Sequence, residues 1–370
     1  MRVLVTGGAG YIGSVVATHL VQAGHAVVVY DNLSRGHRTA VPAAAEFVLD
    51  EIANRPRLEE VLRSRSIEAV LHFAGLIEAG ESMKVPEAFF RNNTAGTLAL
   101  LEAMVAAGVG KLVFSSTAAL YGEPERLPIR ETDPLRPTNA YGESKLLVEQ
   151  MLAWFHRIHG LRYASLRYFN AAGADGDLGE DHQPESHLIP RALEVALGKR
   201  ASIPVFGYDY PTPDGTCVRD YIHVADLARA HLLALEALGR CGKLVYNLGN
   251  GRGFTVQQVL EAVRLVTGHP VPAVVSPRRP GDPPALVASA EKVQRELGWH
   301  PEHGDLETIV RSAWEWHRRH PRGYEGAAPT LAARSGWDQA AANAERHRVG
   351  AGGSAELAED RGHVELDRPL

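Results

Sequence analysis

A glycine-rich turn between two short apolar segments constrains this chain more than any other feature. Val3-Leu4-Val5 predicts a buried strand, residues 14–23 predict an apolar helix, and residues 26–30 predict a second buried strand that ends at Asp31. The turn after the first strand reads Gly7-Gly8-Ala9-Gly10-Tyr11-Ile12-Gly13. This order of strand, glycine turn, helix and strand indicates a β-α-β unit of a doubly wound parallel sheet.

The turn is chemically suited to a dinucleotide. Glycine lets the backbone approach a pyrophosphate closely, and the start of the helix supplies N–H groups and the positive end of the helix dipole. Asp31 can accept hydrogen bonds from an adenosine ribose, and its carboxylate would repel a 2′-phosphate. The pattern therefore predicts NAD rather than NADP, although the nearby Arg35 and Arg38 weaken that preference slightly.

Alternating strands and helices continue along the chain, so we predict an α/β fold with a Rossmann-type doubly wound parallel sheet and a smaller mixed α/β C-terminal substrate lobe. Residues 1–170 are predicted to form the NAD-binding domain, to which residues 218–248 are a candidate to return. Residues 171–325 are predicted to form most of the second lobe. The Ala-, Gly- and charge-rich residues 326–370 predict a disordered tail.

A second motif joins hydroxyl side chains to a tyrosine and a lysine. Ser115-Ser116-Thr117 follows an apolar strand segment, and Tyr141 and Lys145 lie one turn apart on a predicted helix. A lysine ammonium beside a phenol favours the phenolate and lowers the tyrosine pKa from about 10, so the tyrosine can exchange a proton with a substrate hydroxyl. The tyrosine–lysine spacing alone is more often an incidental pair on a surface helix, but the motifs around it favour a proton-transfer site at the strand end.

Composition excludes several classes of function. The chain has 370 residues, is 45% hydrophobic and carries a formal charge of -5, which argues against nucleic acid or an anionic membrane surface as its main partner. We find no apolar run near the ~18 residues of a membrane span. The N-terminus enters a strand directly, which leaves no room for a signal peptide, and two cysteines fit a reducing compartment. We therefore predict a cytoplasmic protein.

Seven motifs in one collinear order resemble the extended short-chain dehydrogenase/reductase superfamily and, within it, the UDP-glucose 4-epimerase family, over roughly residues 1 to 320. They are Thr6–Gly13, Asp31-Asn32-Leu33, His72-Phe73-Ala74-Gly75, Ser115-Ser116-Thr117, Tyr141-Gly142-Glu143-Ser144-Lys145, Leu166–Asn170 and Val218–Val224. The resemblance implies a retained NAD, oxidation of the sugar at C4, rotation of the 4-keto sugar and re-reduction on its other face. That chemistry interconverts UDP-galactose and UDP-glucose in galactose metabolism.

The resemblance also implies roles for individual residues. Tyr141 would take the proton of the 4-hydroxyl, Lys145 would hold the nicotinamide ribose and lower the tyrosine pKa, and Thr117 would bridge the 4-oxygen. The implied cofactor contacts are Gly7, Gly10, Tyr11, Ile12, Gly13, Asp31, Asn32, Leu33, Glu51, Ile52, Phe73, Ala74, Asn92, Ser115, Tyr141, Lys145 and Phe169. The implied UDP-sugar contacts are Thr117, Tyr141, Asn170, His187, Leu188, Phe206, Arg219, Arg279 and Asp282. A homodimer built from two helices of the NAD domain is implied as well.

The chain departs from the family pattern at three places. Ile77 stands where some members have a lysine near the cofactor phosphates, and Asp50-Glu51-Ile52 replaces a Gly-Asp-Ile segment that contacts the adenine. Leu286 stands where some members have a bulky tyrosine that narrows the sugar pocket. A leucine leaves more room, so we expect UDP-N-acetylated sugars to be accepted.

Other interpretations differ in what they require. A nucleotide-sugar 4,6-dehydratase needs Asp-Glu just after the threonine, where this chain has Ala118-Ala119. UDP-glucuronate and UDP-arabinose 4-epimerases remain open. A non-catalytic NAD-sensing protein would need only the glycine turn and Asp31, so the complete Tyr141, Lys145 and Thr117 set argues against it. We predict no metal, on the premise that His182 and His187 have no adjacent cysteine or carboxylate pair at ligand spacing.

Overall fold

The short aliphatic segments that alternate with helices form the strands of the central sheet. The computed structural model describes residues 1–279 and 282–324. Within these residues the strands are β1 (Arg2–Thr6), β2 (Ala26–Asp31), β3 (Glu46–Leu49), β4 (Ala69–His72), β5 (Lys111–Thr117), β6 (Arg162–Tyr168), β7 (Asn170–Ala172), β8 (Ile203–Phe206), β9 (Val218–His223), β10 (Lys243–Leu248), β11 (Gly253–Thr255), β12 (Ala273–Ser276) and β13 (Ala285–Leu286). The helices are α1 (Tyr11–Gln22), α2 (Arg55–Ser64), α3 (Ala79–Ser82), α4 (Pro86–Phe89), α5 (Gly96–Ala107), α6 (Ala140–His159), α7 (Leu188–Ala196), α8 (Val224–Ala237), α9 (Val256–Thr267), α10 (Glu291–Leu297) and α11 (Leu306–Arg319).

Seven of the described strands form one parallel sheet in the order β10-β6-β5-β4-β1-β2-β3. β1 pairs with β2 on one side and with β4 on the other, so the direction of chain progress across the sheet reverses at β1. An open α/β sheet binds its ligands beyond the carboxyl ends of the strands at such a reversal. The glycine turn follows β1 directly and therefore lies at this point.

Helices cover both faces of the large sheet. Val3 and Val5 of β1 face a core shared with α1 and α8, whereas Leu4 between them faces a core shared with α2, α5 and α6. All three side chains are fully buried. Burial of alternate residues on opposite faces is expected when helices pack on both sides of a parallel sheet. The predicted doubly wound α/β fold is confirmed.

The second half of the chain adds a smaller mixed region. β9 runs antiparallel to β11 and parallel to β7 and β13, and β8 pairs with β12. Helices α7, α9 and α11 pack around a separate apolar core. Within residues 218–248, β10 joins the large sheet and β9 belongs to the smaller one. The domain limits at residues 170 and 325 stay predictions, and the tail predicted over 326–370 lies outside the described residues.

Several boundaries differ from the sequence prediction. α1 begins at Tyr11 rather than Ser14, because the glycine turn leads straight into the helix with Gly10 at its N-cap. β5 continues to Thr117, so the three hydroxyl residues belong to the strand itself. No strand or helix was predicted within residues 171–190, which contain most of β7 and the start of α7. Elements of two to four residues are too short for a period to show in the sequence. In the part of the chain that the structure describes, we find no helix with both the length and the apolar character needed to cross a membrane.

Candidate active site

The glycine turn is packed backbone against backbone. Gly7 has a φ of 72°, in the left-handed region, and a Cβ on it would lie 2.4 Å from the backbone nitrogen of Ala74. A Cβ on Gly13 would lie 2.2 Å from the carbonyl oxygen of Gly7. The turn therefore accepts only hydrogen at these positions. The N–H groups of the first turn of α1 have no carbonyl partner within the helix, so they are available to an anion.

Asp31 fixes the glycine turn to the end of β2. Its Oδ2 accepts the N–H of Ala9 at 3.0 Å, and its Oδ1 accepts the N–H of Leu33 at 2.8 Å. Burial raises the pKa of this carboxyl, and the two N–H bonds oppose that rise. Each carboxylate oxygen can accept a further hydrogen bond. The tight turn, the helix start and this carboxylate together fit the pyrophosphate and ribose of an adenine dinucleotide.

Most of the remaining predicted cofactor residues lie at the carboxyl ends of neighbouring strands. The N–H groups of Phe73 and Ala74, just after β4, both donate to the carbonyl of Thr6 at 2.8 and 3.1 Å. Phe169 follows β6 and donates its N–H to Leu248 at 3.1 Å. Ile52 is buried and lies against the start of α5. It is so close to Gly96 that a Cβ on that glycine would clash with the Ile52 side chain. The cofactor contacts of these residues stay predictions.

Tyr141 and Thr117 come together beyond the end of β5. The Asn139 side chain accepts the N–H of Gly142 at 2.9 Å, which starts α6 at Ala140 and places Tyr141 in its first turn. Thr117 is the last residue of β5 and is buried. Burial raises the pKa of the Tyr141 phenol above its usual value, and a hydrogen bond with the Thr117 hydroxyl opposes that rise. The Thr117 hydroxyl therefore lies beside the Tyr141 phenol.

Lys145 is directed to the backbone of β5. Its Nζ donates to the carbonyl oxygen of Ser115 at 3.1 Å and lies 4.9 Å from the centre of the Phe114 ring. Burial lowers the pKa of Lys145 to about 8. The prediction that Lys145 lowers the pKa of Tyr141 is wrong for this structure, in which burial dominates and Thr117 supplies the opposing hydrogen bond. Helical spacing puts the two residues on one face but does not fix where a long lysine side chain ends.

The predicted substrate residues form two contacts on the smaller region. The Arg219 guanidinium pairs with the Asp282 carboxylate, and both side chains are largely shielded from solvent. The Arg279 guanidinium lies 4.0 Å from the centre of the Phe206 ring. Arg278 pairs with the exposed Asp209 at 2.7 Å. Of the others, Asn170 begins β7, His187 precedes α7 and Leu188 is its first residue.

Residues 173–187, which we call the cover segment, lie across the glycine turn. The Tyr11 hydroxyl donates to the carbonyl of Gly173 at 2.6 Å. Arg35 donates to the carbonyl of Gln183 at 2.7 Å, and the His37 Nε2 lies 2.9 Å from the carbonyl oxygen of Asp181. This segment has no apolar periodicity, so its contact with the glycine turn was not predicted. The density of glutamate and histidine was the available signal.

Four side chains of the cover segment form a His/Glu cluster, namely Glu180, His182, Glu185 and His187, whose ligand atoms all lie within 4.8 Å of one another. The His182 Nδ1 is 3.0 Å from the Glu180 Oε1, and the His187 Nδ1 contacts the same oxygen. The premise behind the prediction of no metal is wrong, because the segment turns two carboxylates onto the histidines. The Glu180 carboxylate raises the pKa of both imidazoles, so the cluster can form ion pairs among its own side chains. The absence of a metal stays a prediction.

The cluster predicts a pH-dependent stability. Burial alone lowers the pKa of His187, but the carboxylates of Glu180 and Glu185 outweigh it and raise the pKa to about 9. An unfolded histidine titrates near ~6.5, so the stabilisation from proton binding is complete below that pH, declines as pH rises from there and is lost above about 9. We expect the Tm difference between the unmodified protein and His187→Gln to shrink over this range in thermal melts.

The exposed His300 supplies the control for that series. His300→Gln is expected to give only a small Tm difference. A Tm difference for His187→Gln that stays constant between pH 6 and pH 10 would contradict the ion-paired cluster.

The part of the chain that forms most of the large sheet and some of the smaller region matches a known protein family. Residues 3–249 match the NAD dependent epimerase/dehydratase family. The chain belongs to this family. The resemblance seen in the seven motifs is thereby confirmed, and the glycine turn, Asp31 and the Thr117–Tyr141 pair all lie inside the matched residues.

Individual members of the NAD dependent epimerase/dehydratase family are similar over nearly their whole length. A curated UDP-glucose 4-epimerase of Streptomyces lividans is 56% identical over 325 residues, which cover 88% of this chain and 98% of that protein. The crystal structure of UDP-glucose 4-epimerase from Brucella ovis in complex with NAD has a TM-score of 0.83 at 48% identity and covers 85% of this chain and 97% of its own. The Bifidobacterium longum enzyme in complex with NAD+ and UDP has a TM-score of 0.85 at 39% identity, with 88% and 100% covered.

Proposed function

We propose that this chain is an NAD-dependent enzyme that interconverts UDP-galactose and UDP-glucose in galactose metabolism. The observation that carries the proposal is the Thr117–Tyr141 pair, which lies at the carboxyl edge of the sheet on which the glycine turn also lies. The relatives at about half identity or more are UDP-glucose 4-epimerases, and NAD is the cofactor named with the related structures. The enzyme is an isomerase.

The side chains of this site can hold and move one proton. Tyr141, in its phenolate form, receives the proton of the sugar 4-hydroxyl, with Thr117 as the bridging hydroxyl, and returns it to the 4-oxygen after the 4-keto sugar has turned over. NAD, when bound, supplies the acceptor and donor of the C4 hydride. In this proposal Lys145 holds the nicotinamide ribose. Arg219 and Arg279 suit the UDP diphosphate because a guanidinium group can donate two parallel hydrogen bonds to phosphate oxygens.

The alternative functions are less well supported. Ala118 and Ala119, in the turn that follows Thr117, carry no acid or base for the elimination that a 4,6-dehydratase performs. A non-catalytic NAD sensor has no use for the Thr117–Tyr141 contact. Epimerases of UDP-glucuronate or UDP-arabinose would share the whole proton-transfer site, so they are separated by substrate tests rather than by these residues.

The proposal is tested by incubating the purified protein, without added cofactor, with UDP-galactose, UDP-glucose, UDP-glucuronate and UDP-xylose. We expect UDP-galactose and UDP-glucose to reach the same equilibrium mixture from either side, and the protein to release NAD on denaturation. Turnover of the uronate or pentose nucleotide alone would reassign the substrate. No turnover of any of them, even with NAD supplied, would refute the enzymatic proposal.

Leu286 is the residue to test for sugar range. It packs against Ala118, Tyr121 and Ile129, directly beside the turn that follows Thr117. We expect the unmodified protein to turn over UDP-N-acetylglucosamine, and Leu286→Tyr to lower that turnover by roughly 10-fold or more while sparing UDP-galactose, since a larger side chain fills the space for the acetyl group. Leu286→Met, which conserves volume, is the control. Failure of the unmodified protein to act on UDP-N-acetylglucosamine would contradict this.

A homodimer through α5 and α6 is the assembly that we propose. Large apolar side chains are exposed on both helices: Leu98 is 38% and Val105 41% exposed on α5, and Trp154 is 60% and Ile158 65% exposed on α6. Residues seven or four apart lie on one face of a helix, so each pair forms a stripe. Exposed apolar stripes on neighbouring helices are typical of a protein–protein interface.

Trp154→Glu combined with Ile158→Glu is expected to convert the dimer to a monomer, because two carboxylates would be buried at the interface. Sedimentation velocity measures the change. Leu265→Glu is the control, since Leu265 is 72% exposed on α9. A double variant that sediments like the unmodified protein would place the interface elsewhere.

The cytoplasmic location also belongs to this proposal and rests on the low cysteine count.

A further inference from the structure

We propose that Glu149 and Arg167 are positioning residues that hold Tyr141 and Thr117 in register for proton transfer, an inference that rests on the proposed epimerase function. The two form a bidentate ion pair: the Arg167 Nε donates to Glu149 Oε1 at 3.0 Å and its Nη2 to Oε2 at 2.6 Å. The Arg167 side chain is 5% exposed and the Glu149 side chain is 9% exposed. Desolvating these two charges costs stability unless the pair is fully hydrogen-bonded, so a role other than stability is expected for the pair.

Glu149 lies on the helix face that carries the proton-transfer residues. Tyr141, Lys145 and Glu149 follow one another at intervals of four residues on α6 and therefore share a face. The bidentate contact with Arg167 of β6 fixes Glu149 in both direction and rotation, since two parallel hydrogen bonds allow little freedom. The rotation of α6 about its axis, and with it the direction of Tyr141, is thus set by the ion pair.

The same carboxylate reaches the strand that carries Thr117. The Ser116 hydroxyl donates to Glu149 Oε1 at 2.7 Å. Ser116 and Arg167 are paired residues on the neighbouring strands β5 and β6. Because Thr117 follows Ser116 directly, one carboxylate holds both partners of the proton-transfer pair, the tyrosine through α6 and the threonine through β5.

Arg167 extends the network beyond Thr117. Its Nη1 donates to the Tyr121 hydroxyl at 2.8 Å, and that hydroxyl donates to the Asn247 Oδ1 at 2.7 Å. Tyr121 closes the turn that follows Thr117, so the strand end is held on both sides. Asn247 in turn donates to the carbonyl of Ile129 at 2.9 Å. The network therefore joins α6, β5, β6 and β10 around the proton-transfer pair.

The test separates positioning from folding. Glu149→Gln keeps the shape of the side chain and removes its charge. We expect kcat for UDP-galactose to fall roughly 10- to 100-fold, with KM and NAD content little changed. We also expect the pH dependence of kcat to shift. In Glu149→Met/Arg167→Met, apolar side chains replace the whole pair. This variant is expected to recover Tm relative to the single variant but not kcat, because well-packed apolar residues can replace the stability of a buried pair without its directionality.

Two further variants complete the test. Val61→Ala opens a cavity in the core beside α2, away from the proton-transfer pair, and controls for destabilisation alone. It is expected to lower Tm without changing kcat or its pH dependence. Should Glu149→Gln fail to fold, Ser116→Ala removes only the contact to β5 and leaves no unpaired charge. It is expected to lower kcat about 3-fold or more at constant KM.

The inference is overturned if folded Glu149→Gln, or Ser116→Ala in its place, has the kcat and pH profile of the unmodified protein. It is also overturned if kcat falls only in proportion to the folded fraction, as for Val61→Ala. Failure of the proposed function is a separate result, because it would appear as an unmodified protein that is inactive on UDP-galactose before any variant is made.

Discussion

Tyr141→Phe is expected to lower kcat for the epimerisation of UDP-galactose by a factor of roughly 10² to 10⁴, the usual contribution of a positioned acid or base. The change removes one oxygen atom and leaves the ring, which lies 6.4 Å from the Phe89 ring. Binding of cofactor and nucleotide should persist, because neither the glycine turn nor the arginines contact that oxygen in the proposal. Single-turnover and steady-state assays of UDP-galactose conversion measure the loss, and released NAD is quantified alongside.

Tyr163→Phe is the matched control, since Tyr163 is a buried tyrosine on β6 that faces the core with α2 and α5. It is expected to leave kcat unchanged. A Tyr141→Phe protein with undiminished kcat would remove the phenol from the mechanism and leave Thr117 as the remaining hydroxyl at the strand end.

Gly13→Ala is expected to deprive the protein of most of its bound NAD and to lower kcat/KM by about 100-fold or more, as displacement of a site by ~1 Å does. The new Cβ would lie 2.2 Å from the Gly7 carbonyl oxygen and 3.0 Å from the Gly8 Cα, and both are backbone atoms that no side-chain rotation can move away. The glycine turn must therefore shift. The NAD content of the purified protein and its activity with added NAD measure the effect.

Gly110→Ala is the control for that substitution, because a Cβ on Gly110 meets nothing within 4 Å and its backbone conformation is open to alanine. It should retain NAD and activity. Full NAD content in Gly13→Ala would mean that the turn tolerates the shift, and that the close packing of Gly13 on Gly7 is not what admits the dinucleotide.

The large sheet was predictable because its strands are nearly continuous apolar runs separated by helices with a clear period. Val3-Leu4-Val5 and residues 26–30 could hardly form anything but buried strands beside a glycine turn. The smaller region was harder. β13 has two residues and β11 has three, so neither displays a pattern, and both exist because β9 offers them hydrogen-bonding partners.

The candidate site likewise has residues whose position was predictable from the sequence and residues whose position was not. Residues that a local motif fixes, such as Thr117, Tyr141 and Asp31, lie where the sequence indicated. The end point of the Lys145 side chain, and with it the cause of the shift in the Tyr141 pKa, depended on burial that spacing does not encode. The Glu149–Arg167 pair joins residues on α6 and β6 whose contact depends on the packing of the helix on the sheet. No local pattern indicated it, although a charged residue within the apolar strand β6 was a signal that could have been followed.

The contacts of the cover segment tie the surroundings of the glycine turn to a distant part of the chain. Three side chains near the glycine turn each bond to a backbone carbonyl of that segment, namely Tyr11, Arg35 and His37. Their partners lie 162, 148 and 144 residues further along the chain. We expect a dinucleotide bound at the glycine turn to leave more slowly than its affinity for the turn alone would allow, because opening of the cover segment breaks these three hydrogen bonds.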